Sequence, residues 1–347
     1  MLEADVEVDR RDFTVRVAAT VAAGERLALF GPSGAGKTTF LEVIAGLVRP
    51  RRARIVLAGR LLTSTEPPPR AVPPWQRRVG LLRQDPGLFP HLSVRDNLRY
   101  ARSAAEPAAD AELSRLTAVL GIDGLLSAMP ARLSGGQAHR VALGRLLLSQ
   151  CDALLLDEPY TGLDLSLRRV LTDLVVALVA ERAVPAVLVA HELAEAQAFA
   201  DRLAVLDRGA MLQVGTPDEV VLRPATRRVA ELVGYTSFVP APGPAGTVAG
   251  IHPERVIIGG QPDRGLVLGG VVSSCRPAGA LWETTVRLSD GGGEVVDGSG
   301  GAVSVTGRLS ESRAVGQDLV LTAVDPPRFG PDGAALRPSP AQTGSKP

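Results

Sequence analysis

The stretch ERLALFGPSGAGKTTFLEVIAGL, residues 25–47, constrains the fold more than any other. A short apolar run ends at Gly31, and beyond Lys37 apolar residues recur at Phe40, Leu41, Ile44 and Leu47, the spacing of a helix with one buried face. The order is strand, glycine loop, helix. Glycine lets the backbone curl its N–H groups inward and the helix start adds partial positive charge, so the turn suits an anion. The pattern G-x-x-x-x-G-K-T is complete, and Gly31, Pro32, Ser33, Gly34, Ala35, Gly36, Lys37, Thr38 and Thr39 are expected to cradle a chain of phosphates. Lys37 would pair with the outer phosphates, and the Thr38 hydroxyl would coordinate Mg²⁺.

Lysine usage points to the same loop. Of 38 basic residues only Lys37 and Lys346 are lysine. A chain that otherwise uses arginine keeps a compact ammonium where a planar guanidinium would fit badly between phosphates.

Two later runs end in chemistry. DALLLDEP, residues 152–159, leads three leucines into Asp157 and Glu158. Asp157 can hold Mg²⁺ through its water shell, and Glu158, past the strand end, can polarise a water for in-line attack on a terminal phosphate. Standing alone, such a pair could simply cap the next helix. PAVLVAHE, residues 185–192, ends at His191, and an isolated histidine is more often a structural hydrogen bonder. Ligands of open parallel α/β sheets gather at the carboxyl ends of strands, so Lys37, Glu158 and His191 are expected to share one site.

ARLSGGQAHR, residues 131–140, places a second glycine pair, Gly135 and Gly136, between Ser134 and Gln137, ahead of a helix-like run. With GPSGAGKTT, LSGGQ, LLLDEP and a late His191 in this order, the chain resembles the nucleotide-binding subunit of ATP-binding-cassette transporters over about residues 1–235. LSGGQ discriminates, since many unrelated nucleotidases have the first loop and lack the second. The resemblance implies an α/β fold, a P-loop ATPase domain with a helical subdomain, hydrolysing MgATP with Glu158 as base and His191 holding the γ-phosphate and water. It makes Gln84, in LLRQDPG, a mobile glutamine that senses Mg²⁺ and nucleotide. It makes Asp164, in YTGLD, the link between two active sites across a homodimer. Ser134, Gly135, Gly136 and Gln137 would then serve the partner's ATP, the two chains facing head to tail. The chain also departs from the family. Ala138 and His139 precede Arg140 where a Gln-Arg pair is usual, and DRRD, residues 9–12, occupies the usual place of an adenine-stacking ring. Phe13, Arg10 or Arg11 is left to make that contact.

RRVGLLRQDPGLFPHLSVRDNLRYA, residues 77–101, is similar to the corresponding stretch of importer subunits for molybdate, sulfate, iron and sugars, where a short helix of the membrane subunit docks. LFPHLSVRDNL, the following RYA, and LGIDGLL look closest to the molybdate branch, although such segments also form ordinary helical-subdomain core. The partners implied are a second copy of the chain, membrane permease subunits and an external solute-binding protein. The implied place is the cytoplasmic face of the cell membrane, as a peripheral subunit. Importers of sulfate, iron, polyamine or sugar are the alternatives within this class. A soluble cassette ATPase acting on nucleic acid or ribosomes is the alternative outside it, but such proteins generally carry paired cassettes or a long coiled coil, and one cassette with no heptad run is read here.

Composition agrees with these limits. With 38 basic against 37 acidic residues, the chain lacks the excess expected of a general nucleic-acid binder. MLEADVEVDRRDF has no apolar core behind a basic start, and the most apolar region, LTDLVVALVAERAVPAVLVAHE, is broken by charges and Pro185. Work at a membrane would go through a partner. Cys151 and Cys275 are too few and too distant for a metal cluster or a disulfide scaffold, which fits a reducing cytosol.

After residue 235, FVPAPGPAGTVAG forms a Pro/Gly-rich joint, and short apolar runs then alternate with glycine turns. A small all-β domain is expected over 245–328, and its IHPERVIIG and strand series resemble the oligonucleotide-fold-like C-terminal barrel of such importer ATPases. A related barrel can bind the oxyanion in molybdate systems, and Ser273, Ser274 and Arg276 offer donors. The family's oxyanion motif is not recognisable, which favours a dimer-stabilising or regulatory module. The Pro-, Gly- and Ala-rich segment 331–347 is expected to be a disordered tail.

Overall fold

A computed structural model describes residues 1–11, 13–100, 109–290, 293–294 and 303–336. Internal contacts divide the chain into one unit ending at Pro217 and another beginning at Asp218.

The first unit is built on strands β1 (Leu2–Asp9), β2 (Thr14–Val21), β3 (Arg26–Phe30), β4 (Arg52–Leu57), β5 (Arg60–Ser64), β6 (Arg70–Ala71), β7 (Val79–Leu82), β8 (Ala153–Asp157), β9 (Ala186–Val189), β10 (Arg202–Asp207) and β11 (Ala210–Gly215). They form one sheet in the order β6-β5-β4-β1-β2-β11-β10-β3-β9-β8-β7. Its two halves differ in character. From β6 to β2 the strands are antiparallel, and β1 alternates Leu2, Ala4, Val6 and Val8 inward with Glu3, Asp5 and Glu7 on the other face. Arg54 and Arg52 of β4 pair across that face with Glu3 and Asp5, at 3.3 and 3.4 Å. From β10 to β7 the strands β10, β3, β9, β8 and β7 are parallel. There β8 and β9 are buried at every position, as strands covered on both faces must be.

Helices α1 (Lys37–Ala45), α2 (Val94–Arg99), α3 (Ala109–Leu120), α4 (Gly135–Leu148), α5 (Leu165–Arg182) and α6 (Leu193–Phe199) complete this unit. Side chains of α1, Phe40, Leu41, Val43 and Ile44, join β1, β2 and β3 in one apolar cluster. The buried Arg77 fixes the far end of α1: Nη1 donates to the Val43 and Ile44 carbonyls at 3.1 and 2.8 Å, and Nε to the Val72 carbonyl at 2.8 Å. Carbonyls at the helix end thereby gain a cation, the sign the helix dipole favours there.

The second unit contains α7 (Pro217–Leu222), α8 (Arg227–Leu232), β12 (Ser237–Pro240), β13 (Val248–Ile251), β14 (Val256–Ile258), β15 (Gly265–Ala278), β16 (Leu281–Asp290), β17 (Gly293–Glu294), β18 (Ser304–Leu309), β19 (Asp318–Val324) and β20 (Arg328–Phe329). One sheet has the order β12-β13-β20, and another runs β14-β19-β15-β16-β17 with β18 also on β16. A Cβ on Gly307 of β18 would stand 3.1 Å from Val256 of β14, so the larger sheet curls toward closure around Val272, Val286, Val305 and Leu321.

Two boundaries differ from the sequence reading. The division falls at residue 217 and not near 235, because α7 and α8 are fastened within the second unit. Arg227 N donates to the Gly333 carbonyl at 2.8 Å, and Ala335 N to the Ala225 carbonyl at 3.0 Å. The same bonds order the expected tail from Pro331 as far as Leu336, whose N–H donates to the Arg328 carbonyl at 2.7 Å. Residues 337–347 lie outside the described residues, as does Asp12 of the DRRD stretch.

Candidate functional site

Strand β3 ends at Phe30, and the next residues form the phosphate loop. Gly31 has φ +148°, and a Cβ there would run into the Leu206 backbone carbonyl of β10. Gly36, at φ +100°, caps α1 and would bring a Cβ within 2.7 Å of Val15. Only glycine lets the loop lie this close to the sheet. The Lys37 side chain folds back over the loop, and Nζ donates to the carbonyls of Gly31 and Pro32 at 2.7 and 3.0 Å. One of its three donors is left for a phosphate oxygen. Burial lowers the Lys37 pKa, while the charges of Glu158 and Asp157 hold it up.

Strands β8 and β9 bring the carboxylates and the histidine to the same level. Asp157 Oδ1 accepts from Thr38 Oγ1 at 3.1 Å. Burial raises the Asp157 carboxyl, the Thr38 bond opposes that shift, and the Glu158 charge adds to it. Glu158 turns out of the strand with φ +54°, unusual for a residue with a Cβ, and its N–H donates to the Val189 carbonyl at 3.2 Å. Its Oε1 meets His191 Nε2 at 2.5 Å. An open cleft of about 550 Å³ is lined by Ser33, Gly34, Ala35, Gly36, Lys37, Thr38 and Thr39 of the loop, with Gln84, Glu158 and His191 on one side and Arg10, Arg11 and Phe13 on the other.

The fold therefore brings together Lys37 and Thr38 at the start of α1, Asp157 at the end of β8, and Gln84, Glu158 and His191 just past β7, β8 and β9. It does not bring the second glycine turn to them. Ser134, Gly135, Gly136 and Gln137 are absent from the cleft lining and form the start of α4, where Ser134 Oγ accepts from Gln137 N at 3.3 Å and Gln137 Oε1 accepts from Ser134 N at 2.8 Å. This reciprocal cap holds the turn rigid with Gly135 exposed. Asp164 likewise lies outside the cleft and caps α5, accepting from Leu167 N at 2.9 Å. In the second unit, the Arg276 charge is taken by Glu283 at 2.8 Å, and Ser273 Oγ donates to the Thr285 carbonyl at 3.1 Å.

Phosphate chemistry fits these groups. The loop offers backbone donors, one buried ammonium and a helix start, and Thr38 with Asp157 offers two hard oxygens close together. Mg²⁺ usually takes one or two protein oxygens and completes its shell with phosphate and water. Residues 15–161 match the family model described as "ABC transporter". This segment belongs to the ABC transporter family. The cassette is similar to an Fe(3+) ions import ATP-binding protein of Pseudomonas fluorescens, 40% identical over 226 residues, which cover 65% of this chain and 63% of that one. It is also similar to a molybdenum import ATP-binding protein of Escherichia coli K12, 41% identical over 220 residues, covering 63% and 61%. The chain thus spans less than two thirds of these relatives' length. Among solved structures, the ATP-binding subunit of an ABC transporter superposes with a TM-score of 0.55 at 28% identity, covering 67% of this chain and 95% of that one. A dimeric ATP-binding cassette solved with ADP and Pi shares the fold at 22% identity, with a TM-score of 0.54, covering 62% and 99%.

The sequence reading missed Glu195. It lies on α6 behind the cassette's His191 loop, and burial raises its carboxyl to about 7, opposed first by the backbone N–H of His191 and then by the Arg168 charge. Its Oε1 is buried without a partner. The only signal available was its position four residues past His191. Because the folded pKa lies above the ordinary 4.5, the native chain holds a proton that the unfolded chain releases, and stability falls as pH rises from 4.5 to about 7. Glu195→Gln is expected to raise the denaturant midpoint at pH 8 and change it little at pH 5; an equal change at both would contradict this assignment.

Proposed function

We propose that the chain is the ATP-hydrolysing subunit of an importer, working as a homodimer on membrane permease subunits. The observation that carries this reading is the shared cleft, in which the Lys37 ammonium, the Glu158 carboxylate and the His191 imidazole converge from neighbouring parallel strands. An ATP laid along the loop meets Lys37 and the loop amides at its outer phosphates. Glu158 takes a proton from the attacking water, and His191, hydrogen-bonded to Glu158, keeps that carboxylate and the γ-phosphate in register. Thr38, Asp157 and Gln84 would hold Mg²⁺, which supplies charge neutralisation on the outer phosphates when bound.

The rigidly capped glycine turn, with Gly135 exposed, presents amide donors outside its own chain's cleft. Ser134, Gly135, Gly136 and Gln137 therefore serve the ATP of a partner, and Asp164 links the two sites. Hydrolysis removes the γ-phosphate that both chains grip and lets them part, biasing the permease between two states. Among the described residues no helix is long and apolar enough to cross a membrane; the place we propose for the subunit is the cytoplasmic face, on the permease. An external solute-binding protein would deliver the solute.

The solute we propose is molybdate or a related oxyanion, supported by the likeness of LFPHLSVRDNL, the following RYA and LGIDGLL to the molybdate branch; the iron relative is equally similar and makes iron the second reading. Glu158→Gln is expected to bind ATP and accumulate a long-lived dimer, seen by size-exclusion chromatography, with turnover lowered at least about a hundredfold. Ordinary turnover would remove Glu158 from its role. In vesicles with the permease and binding protein, molybdate is expected to stimulate ATP hydrolysis and Fe³⁺ is not; the reverse would make iron the solute.

A further inference from the structure

Arg10 sits in the turn between β1 and β2, where its N–H donates to the Phe13 carbonyl at 2.8 Å. The turn brings its side chain to the cleft. The guanidinium is held in place: Nε and Nη2 both donate to Thr39 Oγ1, at 3.0 and 2.6 Å, and Nη2 lies 3.7 Å from Glu42 Oε2. Thr39 is buried in the first turn of α1, two positions after Lys37. A hydroxyl that accepts two donors from one cation has used its lone pairs, so its own proton remains to be donated.

The position of Arg10 assigns it to one end of a bound nucleotide. In the sheet, β1 and β2 lie on one side of β3, whereas β9 and β8, which deliver His191 and Glu158, lie on the other. A polyphosphate whose outermost group is at Glu158 has its nucleoside end at Arg10. The groups on that wall are Arg10, Arg11 and Phe13. Guanidinium and phenyl planes stack on any base, and none of these three side chains carries an acceptor to read a purine's amino group.

We propose that Arg10, braced by Thr39 and Glu42, is a second cation for the polyphosphate, set at the end nearest the nucleoside, so that the cleft selects a nucleoside triphosphate by its phosphates with little preference between adenine and guanine. This rests on the nucleotide-binding reading above. Lys37 and Arg10 then flank the phosphate chain from opposite sides, and Thr39 adds a hydroxyl donor that Arg10 keeps oriented.

The test is calorimetry of the full chain, with Mg²⁺, against ATP, GTP and inorganic tripolyphosphate, using the wild type, Arg10→Ala and Arg10→Lys. ATP and GTP are expected to bind the wild type within about threefold of each other, and Arg10→Ala to weaken all three ligands by about tenfold, the size of one lost charge-assisted contact. Arg10→Lys, which keeps the charge, should recover most of that loss. Unchanged affinity in Arg10→Ala, a loss confined to ATP and GTP, or a wild-type preference above about tenfold for ATP over GTP would overturn the assignment while leaving the ATPase reading intact. A wild type that binds no nucleotide would overturn both.

Discussion

The parallel register of β3, β9 and β8 is the constraint on which the site depends. Leu29 lies opposite Val189, and Val189 opposite Asp157, so three strands finish at one level and hand their next residues to the same cleft. Those residues are the phosphate loop, His191 and Glu158. A one-residue slip of β8 against β9 would turn every β8 side chain to the other face of the sheet and separate Glu158 from His191. Leu154, Leu155, Val187 and Leu188 are all buried, so side-chain packing on both faces of these strands holds that register together with the site's polar contacts.

That register places like and unlike charges where water is scarce. Lys37 sits among loop carbonyls with two carboxylates nearby, and burial shifts its pKa and that of Asp157 in opposite senses, each toward neutrality. A buried cation and two anions without a ligand form an incompletely balanced set. A metal ion set against the carboxylates and a phosphate set against Lys37 would give each buried charge an opposite neighbour, and this local pairing, together with the shape of the loop, suits the cleft to a metal-bound triphosphate. The strained backbone at Glu158 has a related logic, since φ +54° lets the carboxylate leave the line of the strand and reach His191.

Much of this was legible in the sequence, for a physical reason. Central parallel strands are largely apolar and stop where chemistry begins, so the stretches read at 25–30, 152–159 and 185–192 contain Arg26–Phe30, Ala153–Asp157 and Ala186–Val189. Other features depend on contacts between distant segments and leave no local pattern. The Arg10 tether joins the connection between β1 and β2 to a helix residue 29 positions away. Glu195 reads as one more surface acid until α6 is packed, and the boundary at 217 depends on bonds from α8 to the residues after Phe329. The SGGQ turn was visible as an anion site, and the family resemblance implied that it serves a partner; the fold leaves it outside its own chain's cleft lining.

The trans arrangement is the claim that joins the two glycine turns into one mechanism. A crystal structure of the Glu158→Gln chain with ATP and Mg²⁺ tests it most directly. If ATP is gripped by both chains, each γ-phosphate will lie between Lys37 of one copy and the Gly135 and Gly136 amides of the other. A γ-phosphate contacted by a single chain, with every Ser134 turn facing solvent, would contradict it.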